Sequence, residues 1–135
     1  MEQITLRIEV DVNPTESEEK IQKTIMNIFG DIPIQIKQAA KSKRVIAQAK
    51  GTANLGNLRN ILRRDKIRDA ARKALHHGRK KDTSTIYINK QVAYAGHVSF
   101  SEAEGESPLG PIKISIESKD LTKLIDWLAP RHTKY

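Results

Sequence analysis

The sequence contains no cysteine among its 135 residues. It therefore has no disulfide framework, no thiolate nucleophile and no cysteine metal site, and this favours a reducing, intracellular environment. No apolar run approaches the roughly 20 residues that a membrane-spanning helix needs. The chain starts with an alternating polar pattern instead of a signal peptide. Together these absences predict a soluble, cytoplasmic protein without a membrane partner.

Aromatic residues are also scarce, with one Trp, three Tyr and two Phe. This number is low for a protein that reads single strands mainly by stacking bases on aromatic rings. Nucleotide hydrolysis has no supporting motif either. Gly51 and Gly56 have the spacing that opens a phosphate-binding loop, but Asn57 and Leu58 follow where Lys and Ser or Thr are required. We therefore expect no nucleotide hydrolase.

The histidines and serines form no recognisable catalytic or metal-binding motif. His76 and His77 are adjacent, so on a helix their side chains point about 100° apart and cannot share a metal ion. His97 and His132 are expected to be ordinary surface residues, and no serine has the flanking glycines of a nucleophile elbow. We expect no metal, no cofactor and no catalytic residues, which favours a non-catalytic protein over an enzyme.

Positive charge is concentrated in residues 57–81, which we call the basic segment. The chain has 24 Lys and Arg against 16 Asp and Glu; this segment has ten bases against two acids, Asp65 and Asp69, so the formal net charge of +8 lies entirely within it. Such a concentration is typical of a surface that binds a polyanion, most often nucleic acid. The ten predicted RNA-binding residues are Arg59, Arg63, Arg64, Lys66, Arg68, Arg72, Lys73, Arg79, Lys80 and Lys81.

The spacing of apolar residues predicts how the segment folds. A helical stripe of Ile67, Ala70, Ala71, Ala74 and Leu75 should face the core, which leaves Arg68, Arg72, Lys73, His76 and Arg79 on the exposed side. An upstream stripe ending at Leu62 is out of phase with this one, so two helices or a sharp bend are expected. Asp65 is predicted to cap the second helix at its N-terminus, and Gly78 to end it.

The rest of the chain predicts a single α+β domain over residues 1–135, with a mixed or antiparallel sheet covered by helices on one face. Residues 3–12 alternate perfectly between apolar and polar, which indicates a half-buried strand. Thr15 with Glu18 suggests a capping box for a helix closed by Gly30. Further strands are expected at 32–36, 45–49, 84–89, 97–100 and 112–116, and a closing helix at 121–128.

Three runs resemble those of a known family when taken together: TIYINKQVAYAGHVSF (85–100), ESPLGPIKISI (106–116) and LIDWLAPR (124–131), preceded by the helix LRRDKIRDAARKALHHG. They are similar to the archaeal uncharacterised protein family numbered two hundred and one, a group of probable RNA-binding proteins. The resemblance covers nearly the whole chain. It implies a fold like that of the large-subunit ribosomal protein that contacts the 5S RNA, and a homodimer, with no catalytic residues to carry over.

Two functional hypotheses follow. In the first, the basic segment binds a structured RNA, such as ribosomal or transfer RNA, through phosphate contacts. In the second, the chain is a small-ligand protein or an enzyme acting on an anionic substrate, with a pocket formed by Lys90, Ser107 and Gly110. In that case the basic segment would keep the protein soluble or would attract the anionic substrate towards the pocket.

Overall fold

The strand predicted near the N-terminus lies in the middle of the sheet. It forms β1 (Ile4–Val12) in a computed structural model that describes residues 3–38, 42–102 and 110–131. Its apolar residues Ile4, Leu6, Ile8, Val10 and Val12 are all buried, and the alternate residues are at least partly in solvent. The period of two therefore assigns one face of β1 to the core, as predicted.

The described part of the chain contains seven strands and five α-helices. In chain order after β1 they are α1 (Glu18–Phe29), β2 (Ile34–Gln38), β3 (Lys43–Lys50), α2 (Gly56–Arg64), α3 (Arg68–His77), β4 (Arg79–Lys80), β5 (Thr83–Ile88), α4 (Lys90–Tyr94), β6 (Phe100–Ser101), β7 (Ile112–Ser118) and α5 (Leu121–Leu128), with a short 3₁₀ turn at Ala53–Leu55 before α2.

All strand pairs in the sheet are antiparallel, and the order is β2-β3-β1-β7-β5-β4, with β6 also pairing with β5. β1 pairs with β3 on one side and β7 on the other, so Ile8 lies opposite both Ala47 and Ile114. The apolar sides of these strands form one core cluster with buried residues from α1, α2, α3 and α5. The fold is therefore α+β with helices on one face of an antiparallel sheet, which confirms the predicted class.

Several element ends differ from the predictions. The N-cap of α1 is Ser17, whose hydroxyl accepts from the Lys20 N–H at 3.3 Å, so the capping box predicted at Thr15 is wrong. Ser17 lies directly before the first helical residue, which is where a capping hydroxyl can reach the first free N–H groups. Gly30 does end α1, with a φ of 74°. β2 begins at Ile34, two residues later than expected.

The region predicted as a strand at 97–100 is mostly irregular. Residues 90–94, which had no assignment, form α4, and Asn89 caps this helix by accepting from the Val92 N–H at 2.9 Å. Only Phe100 and Ser101 pair with β5, as β6. Residues 103–109, which include Ser107, lie outside the described residues, as does His132.

Gly78 ends α3 as predicted, but its role is steric. Its φ is −85°, an ordinary value, while a Cβ built on it would lie 1.9 Å from the Thr85 carbonyl oxygen. In turn the Gly78 carbonyl accepts from the Thr85 N–H at 3.0 Å. The end of α3 therefore touches the backbone of β5, and only a residue without a side chain fits there.

We predict that Gly78→Ala destabilises the protein by about 3 kcal/mol or more, at the upper end of what overpacking costs, because the Thr85 backbone has nowhere to move. Chemical denaturation would measure the loss. Gly56→Ala is the matched control, because a Cβ at Gly56 meets nothing within 4 Å. Equal stability of the two variants would contradict the close approach of α3 to β5.

Candidate nucleic-acid interface

The basic segment folds as α2, a three-residue connection, α3 and β4. α2 buries Leu58, Ile61 and Leu62, and these contacts direct Arg63 and Arg64 at its C-terminus into solvent. The predicted break between two helices is confirmed, since α2 ends at Arg64 and α3 begins at Arg68.

The buried face of α3 is narrower than the apolar stripe predicted. Ala71 and Leu75 are buried, Ile67 and Ala74 are half-buried, and Ala70 is exposed. The reason is the position of α3 beside β5, where the outermost strands of that edge, β4 and β6, have only two residues each. One flank of α3 packs on the core while the Ala70 side faces a groove.

Asp65 does not cap α3, which corrects the prediction. It is instead the residue at which α2 ends, and the residue before α3 is Ile67, which has no capping side chain. Between them Lys66 has a φ of 59°, the left-handed conformation that ends helices, so the chain turns before the predicted cap could act. The Asp65 carboxylate is thereby free to bind Arg64 at 2.9 Å and His97 at 2.8 Å.

The Asp65 cluster ties the end of α2 to the loop after α4. Arg64 also donates to the Gly96 carbonyl at 2.8 Å, and hydrogen bonds from Arg64 and His97 lower the pKa of Asp65 to about 2. His97 Nδ1 lies 2.8 Å from the Asp65 carboxylate and 3.2 Å from the Arg64 guanidinium, so the three side chains form one cluster. Sequence reasoning treated His97 as an ordinary surface residue, and its 32-residue separation from Asp65 offered no signal.

Three of the ten predicted RNA-binding residues bond to α5: Arg59 and Arg72, which are half-buried, and Arg79, which is exposed. Arg59 donates to the Trp127 carbonyl at 2.8 Å and lies 5.2 Å from the centre of the Trp127 ring. Arg72 pairs with Asp126 at 2.7 Å, and only 14% of its side chain is exposed. The expectation that Arg72 lies on the exposed side of α3 is therefore wrong, because the helix turns that side partly towards α5. Arg59 and Arg72 hold α2 and α3 against α5.

The bases other than Arg59 and Arg72 are arranged more openly. Arg79 donates to the Thr122 hydroxyl at 2.6 Å, and Arg63 makes only a 3.4 Å contact with Asn60. Arg64 joins the Asp65 cluster. In the described part of the chain, no side-chain hydrogen bond or ion pair engages Lys66, Arg68, Lys73, Lys80 or Lys81.

Carboxylates neutralise little of this charge. Among the described residues, only two of the ten bases form ion pairs, Arg64 with Asp65 and Arg72 with Asp126. Asp69, the second acid of the segment, lies in the first turn of α3, where it suits the positive end of the helix dipole. Most cations of the basic segment therefore have no carboxylate partner in the described structure.

Lys90, assigned to the alternative pocket, is one of the few buried polar residues. Its side chain is 5% exposed, and its ammonium group donates to the Asp11 carbonyl at 2.9 Å and to Glu16 at 3.1 Å. Burial works to raise the pKa of Glu16, but hydrogen bonds from the Asn13 N–H and from Lys90 hold it below its ordinary value. This ion pair joins α4 to the end of β1. Gly110, with a φ of 80°, lies two residues before β7.

Two general properties of the described residues bear on the site. No group of three His, Cys, Asp or Glu side chains within residues 3–38, 42–102 and 110–131 is arranged to hold a metal ion. None of the helices in the same ranges combines the length and apolar character needed to cross a membrane.

We predict that Lys90→Met costs about 3 kcal/mol at pH 7, because it leaves the ionised, half-buried Glu16 without its cation. The pKa of Glu16 is lowered in the folded state, so the stabilisation it provides is complete above its unfolded value near 4.5 and is lost as the pH falls through the lower folded value. The difference between wild type and variant should therefore narrow between pH 7 and pH 3, as measured by urea unfolding.

The double variant Glu16→Gln plus Lys90→Met is the control for this prediction. It removes both charges, so it should be more stable at pH 7 than Lys90→Met alone. A loss in Lys90→Met that is equally large at pH 3 would show that the carboxylate is not the cause.

Comparison with known proteins identifies the family to which the chain belongs. A family model described as RNA binding matches residues 5–118. The chain is 36% identical to a UPF0201 protein of Aeropyrum pernix, with 94% of this chain and 85% of that protein aligned, and 40% identical to one of Sulfurisphaera tokodaii, with 94% and 88% aligned. The crystal structure of a UPF0201 protein from Methanococcus jannaschii superposes with a TM-score of 0.84 at 29% identity, covering 96% of this chain and 95% of that one. The chain therefore belongs to the UPF0201 family of archaeal proteins and matches the RNA-binding family model.

Proposed function

We propose that this protein binds structured RNA in the cytoplasm as a non-catalytic binding protein, through the cations of the basic segment. The observation that supports this most is the concentration of the whole net charge of +8 in residues 57–81, where only two of ten bases pair with carboxylates among the described residues. A cluster of uncompensated cations attracts a polyanion and gains affinity by releasing its counterions. The match to the RNA-binding family model supports RNA as that polyanion.

The division of the ten bases refines the proposed contact set. Arg59 and Arg72 are engaged with α5, so their role is to position α2 and α3. The cations proposed to contact phosphate are those that reach solvent with no carboxylate partner in the described structure: Arg63, Lys66, Arg68, Lys73, Arg79, Lys80 and Lys81. They belong to two helices, their connection and a strand, all anchored to one core. A rigid array of this kind suits an RNA whose phosphates are also held in place, such as a ribosomal or transfer RNA.

We predict that Arg63→Gln, Lys80→Gln and Lys81→Gln together weaken binding to a structured RNA such as transfer RNA. Each lost phosphate contact should flatten the slope of log affinity against log salt by about 0.7 to 0.9. Stability should change by no more than about 0.5 kcal/mol per site, because these side chains are on the surface. Filter binding over a salt series would measure both affinity and slope.

The matched control replaces Lys23, Lys37 and Lys50 with Gln. These lysines are exposed and lie outside the basic segment, so the net charge falls by the same three units. The control should retain the wild-type slope. Equal losses in the two triple variants would mean that net charge alone attracts RNA. No binding by wild type at low salt would contradict the proposed function.

We also propose that the protein forms a homodimer through β2. Within the described structure β2 pairs only with β3, so its outer edge is open, and Ile36 on this strand is 43% exposed. An open edge with an exposed aliphatic residue can pair with a second copy about a two-fold axis, since antiparallel pairing of identical strands is self-complementary.

If the protein dimerises through β2, Ile36→Gln should shift the molar mass of the protein in solution from that of two chains towards that of one. Light scattering after gel filtration would measure this mass. Tyr94→Gln is the control, because Tyr94 is similarly exposed at 40% but belongs to α4. A wild-type protein with the mass of one chain, or an Ile36→Gln variant with the mass of two, would contradict this arrangement.

A further inference from the structure

A groove at the edge of the sheet lies directly beside the basic segment. Its volume is about 540 Å³, and it separates α3 from the β5–β6 pair. Sites for small molecules and cofactors commonly have volumes of about 300–1,000 Å³, so a single nucleotide fits this space. The narrow buried face of α3 creates the groove, because Ala70 and Ala74 are too small to fill the gap between the helix and the strands.

The two walls of the groove differ in chemistry. The wall formed by α3 carries Lys73 and His77, which are four residues apart and therefore on one side of the helix. Neither side chain has a hydrogen-bond or ion-pair partner in the described part of the protein. A lysine ammonium and an imidazole N–H are donors suited to a phosphate group.

The opposite wall carries an aromatic ring. Phe100 of β6 lines the groove and is half-buried. It pairs with Ile88, which faces the core, so Phe100 lies on the side of the sheet where α3 packs. Tyr87 of β5 also lines the groove, but it alternates with the buried Ile86 and Ile88, so its ring turns to the other side of the sheet. An aromatic ring provides a flat apolar surface on which an unpaired base can stack. Glu102 lines the groove as well, and its carboxylate can accept hydrogen bonds from base amino groups.

We propose that this groove holds one unstacked nucleotide of the bound RNA, with its base against Phe100 and its phosphate at Lys73 and His77. The proposal rests on the proposed RNA-binding function and specifies the RNA: it must present a bulged or looped-out nucleotide next to a helical stem. Stem phosphates then contact the cations outside the groove, while the groove takes the nucleotide that leaves the stack. A single site of this kind is compatible with the small number of aromatic residues in the chain, because it needs only one ring.

An extended peptide fits the groove less well. β4 pairs with Thr83 and Ser84, and β6 pairs with Tyr87 and Ile88. Only Thr85 and Ile86 of β5 remain between these short strands, and the N–H of Thr85 already donates to Gly78. Strand addition needs a longer run of free backbone groups.

The test compares two RNA hairpins with the same stem, one fully paired and one with a single bulged nucleotide, by fluorescence anisotropy. Wild type should bind the bulged hairpin about tenfold more tightly, in line with the usual worth of stacking one base. Phe100→Leu keeps apolar bulk but removes the ring, so it should bring this preference close to one. Tyr87→Leu is the matched control and should keep the preference, because its ring lies on the other side of the sheet. Their affinity for the paired hairpin should stay unchanged.

A second variant, Ala70→Leu, fills the groove from an exposed position on α3 and should abolish the preference without unfolding the protein. Ala53→Leu, at another exposed alanine outside the groove, should keep it. The triple variant of Arg63, Lys80 and Lys81 should lose affinity for both hairpins and keep the preference.

The outcomes separate the two proposals. If wild type binds both hairpins equally, or if Phe100→Leu and Ala70→Leu keep the preference, the nucleotide site is refuted while RNA binding by the basic segment stands. If the protein binds neither hairpin at low salt, the RNA-binding function fails, and the nucleotide site fails with it.

Discussion

The position of β1 is the constraint on which the rest of the structure depends. This strand is hydrogen-bonded on both edges, to β3 and to β7, and buries five aliphatic side chains on one face only. The adjoining strands must then turn their apolar residues to the same side. All helices that contribute to the core consequently lie on that face. The basic segment is the connection between β3 and the β5 edge, so its two helices pack on this core and expose their other sides.

The same geometry divides the ten bases of the segment. Those that face α5 are bound to it, as Arg59 is by the Trp127 carbonyl and Arg72 by Asp126. Those at the helix ends and on β4 extend into solvent. A uniform count of charges therefore overstates the number of cations available to a ligand, because Arg59 and Arg72 already hold α2 and α3 against α5. Arginine suits this role because its planar group can combine an ion pair, carbonyl contacts and stacking on a ring.

Small residues in α3 have two separate consequences. Gly78 lets the end of the helix touch the backbone of β5, which fixes the distance between the two elements. Ala70 and Ala74 lie earlier in the helix. Their side chains are too short to fill the space between α3 and the strands, so a groove opens there. The groove and the close contact are thus parts of one arrangement. The position of Lys73 on the rim of this groove joins it to the cations of the basic segment.

Local patterns in the sequence determined the elements whose residues interact mainly with their neighbours. The alternation from Ile4 to Val12, the helical spacing from Ile21 to Phe29 and the phase shift after Leu62 are properties of single strands and helices, and each predicted its element correctly. The concentration of charge in residues 57–81 was equally visible, because it is a property of composition. The N-cap of α1 was predicted wrongly because Thr15 and Ser17 can both cap a helix, and the structure uses Ser17.

Only the tertiary structure decided which charged side chains have a partner. Asp65 binds His97 across 32 residues, Arg72 binds Asp126 across 54, and Lys90 binds Glu16 across 74, and no local pattern records such pairs. The groove was hidden for the same reason, because Ala70, Tyr87 and Phe100 come from three elements that meet only at the sheet edge. Periodicity specifies which side of a helix is apolar, but how much of that side is covered depends on the neighbours that the fold brings to it.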